Sequence, residues 1–215
     1  MSSLEVRRHW QPWAHLNLRR NPFGELTSSE RVEAAVVEVR PFLEFLRQGR
    51  TALQFIGECG RGKTTRLLAL RAKLPQSSYT YLAENQPCPA IPAGSPVMID
   101  EAQRLTKPIQ ARVFSSGFPL VLATHADLTS TLRRFGYVVQ TEPVGVGNNP
   151  ELVQRLLNRR IEVSRLGDGT IPVVSMEDAT KLVERFGTNI RRIENHLYDR
   201  VQLQVTHYGQ MRFVD

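Results

Sequence analysis

The sequence predicts an α/β fold, a parallel sheet covered by helices, followed by a small helical module. Three observations predict it. Short apolar strand-like runs alternate with helix-like segments from residue 51 to about residue 141. A glycine-rich turn lies between the first of these strands and the helix after it. Beyond Gly145-Val146-Gly147 only helical periodicity remains. The expected organisation is a lead-in with helices packing on the core over residues 1–50, an α/β core over 51–147 and a helical lid over 148–215.

Taken in order, residues 1–26 mix aromatic and polar side chains with Pro12 and Pro22 and read as irregular. Thr27 to Glu30 matches S/T-x-x-E, in which each side chain satisfies the other's backbone amide at a helix start. It opens an expected helix from Ser29 to about Arg40, with Val32, Ala35, Val36 and Val39 on one face. Pro41 is expected to interrupt it before a second short helix carrying Phe42, Phe45 and Leu46. Strands are expected at Ala52–Ile56, Tyr79–Leu82, Val97–Ile99, Pro119–Ala123 and Tyr137–Thr141. Helices are expected at Lys63–Leu74, Pro108–Phe114 and Asp127–Arg134, with a Pro/Gly connector over Gln86–Ser95. Pro150–Leu166, Met176–Phe186 and Asn189 to about Val205 complete the helical module.

Composition narrows the function. In 215 residues, 41% are hydrophobic and 23% charged, which is the ordinary globular range. No apolar run reaches the roughly 18 residues of a membrane span, and Met1–Trp13 lacks the apolar stretch of a secretory signal. A cytoplasmic protein without membrane association is expected. Cys59 and Cys88 are too few for a disulfide scaffold or a cysteine zinc site. The net charge of +7 comes from 24 arginines and four lysines against 21 acids. Arginine's planar fork suits phosphate, so a polyanionic partner such as DNA is possible, although the excess peaks where a nucleotide site would need it.

The strongest local signal is Gly57-Glu58-Cys59-Gly60-Arg61-Gly62-Lys63-Thr64, followed by Thr65. It matches G-x-x-x-x-G-K-[ST], placed after a strand and before a helix as a phosphate-binding loop requires. Its amides curl round the phosphates, Lys63 reaches the β and γ oxygens and Thr64 ligates Mg²⁺. Cys59 reads as loop filler. The second signal is Val97-Met98-Ile99-Asp100-Glu101, an apolar strand that delivers two carboxylates to the same sheet edge. Asp100 is expected at the Mg²⁺ site and Glu101 at the attacking water. Together they predict ATP with Mg²⁺ as cofactors. Thr124-His125-Ala126-Asp127 departs from the [NT]-K-x-D of GTPases, and Asp100-Glu101-Ala102-Gln103 lacks their glycine. Thr124 or His125 is the polar residue expected to touch the γ-phosphate or attacking water. A small-molecule kinase is disfavoured, since no acceptor-binding lid is recognisable.

With these motifs in hand, the chain resembles the AAA+ ATPases over most of its length. Leu132-Arg133-Arg134-Phe135 resembles the S-R-F string that carries an arginine finger, which implies Arg134, with Arg133 as the alternative, acting in a neighbouring subunit. Gly187-Thr188-Asn189-Ile190-Arg191-Arg192-Ile193-Glu194-Asn195 resembles the G-N-V-R-E-L-E-N sensor string of the lid. Arg191 matches its γ-phosphate sensor, with Arg192 the alternative. Leu16 to Phe23 resembles the lead-in of the branch holding ExeA-type secretion ATPases and TniB/TnsC-type transposition regulators, implying base contacts from Asn21, Pro22 and Phe23. Asn85 could act as a polar switch on Glu101. The resemblance implies self-association into an oligomer, a protein partner and action on DNA or a DNA-bound protein. The alternative is an ATP-dependent adaptor with slow turnover.

Overall fold

Alternation of apolar side chains along three central strands sends successive residues to opposite faces of one sheet. The computed structural model describes residues 12–204 and 211–214. Its strands are β1 (Thr51–Ile56), β2 (Ser78–Tyr81), β3 (Val97–Asp100), β4 (Leu120–Thr124) and β5 (Val138–Pro143). They form one sheet in the order β2-β3-β4-β1-β5, and every pairing is parallel. Register sets Leu53 beside Val121 and Ile99 beside Leu122. The sequence expectation of a parallel α/β core therefore holds, with each strand displaced by one or two residues at most.

Each face of the sheet has its own core. Leu53 and Phe55 of β1, Met98 of β3 and Val121 and Ala123 of β4 are buried with Leu46 of α2 (Arg40–Leu46) and Leu67 and Leu70 of α3 (Lys63–Arg71). Ala52, Val97, Ile99, Leu120 and Leu122 point the other way, against Val113 and Phe114 of α4 (Lys107–Ser115) and Leu132 of α5 (Thr129–Arg134). Phe114 meets Phe135 edge-on, with ring centroids 5.8 Å apart. The connector between β2 and β3 contains no helix, and Leu82, Cys88 and Ile91 from it pack on this second face.

The chain divides into two compact units, Val37–Val146 and the described parts of Met1–Val36 with Gly147–Asp215. In the second unit α6 (Pro150–Val163), α7 (Met176–Phe186) and α8 (Ile190–Gln204) bury Val153, Leu157, Ile161, Leu182, Ile193 and Leu197. Leu18 and Phe23 are buried in the same cluster, so the lead-in up to Val36 groups with the helical module. The sequence reading had placed it with the core. Arg160 accounts for much of this: its Nε donates to Pro22 O at 2.9 Å, and its other nitrogens bond Gly24 O and the Glu194 carboxylate.

The lead-in helix α1 (Ser28–Glu33) starts as expected, with Thr27 and Glu30 capping each other, but it is much shorter. Apolar spacing alone had extended it to Arg40. Val36, Val37 and Val39 are β-branched and lose side-chain freedom in a helix. Pro41 begins α2 rather than interrupting a helix, because a first-turn residue has no amide partner to lose. Arg160→Ala should destabilise the helical unit by about 3 kcal/mol, since Glu194 and two carbonyls lose a buried cation. Urea denaturation followed by circular dichroism measures it, and an unchanged midpoint would rule this junction out.

Candidate active site

The loop that follows β1 is shaped by its glycines. A side chain on Gly57 would strike the Val144 carbonyl, and Gly60 and Gly62 take left-handed φ values of 79° and 99°. Gly62 caps α3 without any side-chain bond to the helix's first amides. The first amides of a helix lack partners within it and suit an anion. Glu58 and Arg61 pair across the loop at 2.8 Å, which holds the Glu58 carboxyl below its ordinary range. Cys59 is exposed on the loop, and Thr65 follows Thr64 in the first helical turn.

Lys63 is only 4% exposed, and its ammonium is folded back. It donates to Gly57 O at 2.6 Å and Glu58 O at 3.0 Å, and lies 3.3 Å from His125 Nε2. Contact with the ammonium makes Nε2 an acceptor, which places the neutral ring's proton on Nδ1. The same Nε2 is 3.5 Å from Glu101 Oε2.

Thr64 Oγ1 donates to Asp100 Oδ2 at 2.8 Å, and the Tyr79 hydroxyl reaches the same oxygen at 3.3 Å. Asp100 is 1% exposed. Burial pushes its carboxyl above the usual aspartate range, the Thr64 bond opposes this, and the charge of Glu101 adds to the rise. Among the described residues no three His, Cys, Asp or Glu side chains gather as a dedicated metal cage. One hydroxyl and one carboxylate side by side are what Mg²⁺ uses when waters and substrate phosphates complete its octahedron at about 2.1 Å. The donor set fits that ion.

Glu101 sits in the left-handed region at φ 63°, ψ 41°, which turns its side chain off the end of β3. Its Oε2 accepts from Gln103 Nε2 at 2.6 Å and lies 3.4 Å from Arg104. Gln103 Oε1 in turn accepts from the His125 backbone amide at 3.2 Å. Arg104 also bonds Leu82 O at 2.7 Å and Glu84 at 3.2 Å. Asn85 closes a turn at φ 56°, and no hydrogen bond joins it to Glu101 among the described residues.

Lys63, Thr64, Asp100, Glu101 and His125 are therefore linked through direct contacts at one sheet edge. Thr124 is buried, and its hydroxyl exchanges two bonds with Ala126, at 2.9 and 3.0 Å. Of the two alternatives, His125 is the one whose polar atom faces Lys63 and Glu101. Arg133 and Arg134 are exposed at the end of α5. Arg191 and Arg192 open α8 in the helical unit, where Arg192 lies 6.0 Å from the Phe186 ring. Asn21 donates to Tyr198 O at 3.0 Å and accepts from Phe23 N at 3.1 Å, and Phe23 is buried edge-on against Phe213. Pro22 offers its carbonyl to Arg160.

Sequence reasoning missed Tyr79, Gln103 and Arg104. Gln103 and Arg104 were the more accessible, because a tight turn after Glu101 brings residues two and three places on back towards it. Tyr79 depends on β2 pairing with β3, which periodicity does not reveal.

No family model matches the chain, and no curated protein matches it. Solved structures do. A point variant of Thermotoga maritima RuvB superposes with a TM-score of 0.55 at 15% identity, over 81% of this chain and 64% of that one. The Thermotoga maritima RuvB Holliday junction branch migration motor gives 0.53 at 18% identity, over 89% and 66%. The fold is the AAA+ type of P-loop NTPase. The chain spans just under two thirds of the length of these neighbours.

Asp100 supplies a test. Its folded pKa lies above the unfolded value, so the native state holds the extra proton and stability falls as pH rises from about 3.8 through the raised value. Asp100→Asn removes that loss. Without nucleotide or Mg²⁺, the variant should melt a few degrees higher than wild type at pH 7 and show no such gain at pH 3. Scanning calorimetry at the two pH values checks it; equal melting at pH 7 would mean the burial carries no net cost.

Proposed function

We propose that the chain binds ATP with Mg²⁺ and hydrolyses it, working as a nucleotide-dependent oligomer on DNA or on a DNA-bound protein partner. The cluster of Lys63, Thr64, Asp100, Glu101 and His125 around a phosphate-shaped loop carries this reading. The loop amides of Gly57 to Thr65 cradle the phosphates, and Lys63 leaves its loop carbonyls for the β and γ oxygens. Thr64 and Asp100 would hold Mg²⁺, and the ion would supply positive charge against that of the phosphates. Glu101 orients water for attack, and His125 stands where charge on the transferring phosphoryl group develops.

Arg134, with Arg133 as the alternative, serves a neighbouring subunit as the finger, and Arg191 serves as the lid sensor. Exposure of the first pair without an ion pair among the described residues supports the finger. The lead-in string and the basic charge favour a transposition-regulator-like role in the cytoplasm. No helix among the described residues is long and apolar enough to cross a membrane. A RuvB neighbour is a Holliday junction branch migration motor, which supports action on DNA. Attachment of Glu101 to Gln103 and Arg104 favours a second reading, a slow adaptor whose turnover waits for a protein partner.

The deciding measurement is ATPase rate per subunit against protein concentration, with and without duplex DNA. Lys63→Ala should lose at least about 100-fold in ATP affinity. Glu101→Gln should keep ATP bound while turnover falls about 100-fold. Arg134→Ala should remove the rise with concentration, as expected of a finger acting in trans. A low, flat rate indifferent to DNA and to Arg134→Ala would favour the adaptor. Failure of the wild type to bind ATP would sink both readings.

A further inference from the structure

Gln54 is the one polar residue in the middle of β1, and it is 0% exposed. A buried amide in a central strand is costly unless every polar atom is used. Here each is. Oε1 accepts from Leu128 N at 3.1 Å. Nε2 lies 2.9 Å from Asp127 Oδ1, 2.6 Å from Thr129 Oγ1 and 2.7 Å from Thr141 Oγ1. Two amide protons face three acceptors, and the two threonine hydroxyls, 3.4 Å apart, can bond each other when one is left out. Flipping the amide would set its oxygen against the Asp127 carboxylate and its NH₂ against the Leu128 amide, so its orientation is fixed.

What Gln54 holds is the segment that follows β4. Asp127 Oδ1 also accepts from Thr129 N at 2.8 Å and so secures the start of α5. His125 lies between two anchors. On one side Gly57 N donates to Thr124 O at 3.3 Å, and Thr124 is closed onto Ala126. On the other side Asp127 and Leu128 are bound to Gln54. The His125 amide is held by Gln103 at 3.2 Å. At its far end α5 carries Arg133 and Arg134, and β1 itself runs into the phosphate loop at Gly57, three residues after Gln54.

We propose that Gln54 is a positioning residue that fixes the His125 loop and the arginine-bearing helix α5 relative to the phosphate loop. It touches no reacting atom. Its amide sets where the His125 ring meets Lys63 and Glu101, and where the α5 arginines project. This deepens the ATPase reading and rests on it.

Three variants test it. Gln54→Leu keeps the volume and removes the bonds. Asp127→Ala releases the same segment from outside the sheet. Thr141→Val cuts only the arm to β5 and reports what loss of a network bond does without freeing the His125 segment. ATP turnover, ATP affinity and thermal stability are measured for each, with the His125 ring signals followed by NMR. Gln54→Leu and Asp127→Ala should lower kcat at least 10-fold, as a displacement of about 1 Å can, with ATP affinity within threefold of wild type. Both should shift the His125 ring signals, and Thr141→Val should do neither.

Wild-type kcat in a folded Gln54→Leu overturns the proposal. So does a loss of kcat that follows stability alike in all three variants, since that is a structural role only. Should Gln54→Leu not fold, Asp127→Ala decides: an unchanged kcat and unchanged His125 signals overturn the proposal. A wild-type chain without turnover is the separate failure of the ATPase reading, seen before any variant is made.

Discussion

A parallel sheet brings the carboxyl ends of all its strands to one edge, and the candidate site depends on that constraint. β1 ends in the phosphate loop, β3 ends in Asp100 and Glu101, and β4 ends one residue before His125. In the sheet order β3, β4 and β1 are neighbours, so three stretches far apart in sequence open side by side. Parallel strands stay buried on both faces, which explains why β1, β3 and β4 tolerate few polar side chains inside the sheet. Polar residues concentrate where the strands stop. There the backbone is free to turn, as Glu101 does at positive φ, and side chains can converge on a common point.

Convergence has an electrostatic cost that the structure meets in different ways. Lys63 is stripped of most of its water and recovers its hydrogen bonds from two loop carbonyls and an imidazole. Asp100 keeps three donors, yet burial still pushes its carboxyl upward. A phosphate entering the loop would repel both carboxylates, and a divalent cation beside Thr64 and Asp100 would relieve that repulsion. Each group is thus stabilised less well alone than it would be with the anion and cation that the others invite. That is the arrangement expected of a site selected for binding rather than for stability.

Much of this was legible in the sequence because its determinants are local. The loop declares itself through glycines at positions where backbone conformation or close approach forbids a side chain, and its strand and helix flank it directly. Asp100 and Glu101 are read from a short apolar run that must be a buried strand. Which of Thr124 and His125 turns its polar atom towards Lys63 was not legible, because it depends on a two-residue hydrogen-bonded turn that occupies the threonine hydroxyl. Tyr79 depends on the pairing of β2 with β3. Gln54 depends on β4, β5 and α5 meeting around β1. The grouping of the lead-in with the helical module was missed for a similar reason. It rests on Arg160 bonding backbone carbonyls, a contact with no residue-type signature at Pro22 or Gly24.

Lys63, His125 and Glu101 impose one further condition. Nε2 of a single imidazole faces an ammonium at 3.3 Å and a carboxylate at 3.5 Å, and it carries a proton for only one of them. While Lys63 stays on its loop carbonyls, the neutral ring accepts from it and Glu101 is left to Gln103 and Arg104. An anion in the loop that drew the ammonium away would take from Nε2 the donor it now meets. The ring would then face the Glu101 carboxylate alone. Occupation of the loop and the surroundings of the Glu101 carboxylate would thus be linked through one ring nitrogen. The coupling works only if the ring stays in place while its partners change, which is why the anchoring of residues 124 to 129 matters as much as the ring itself.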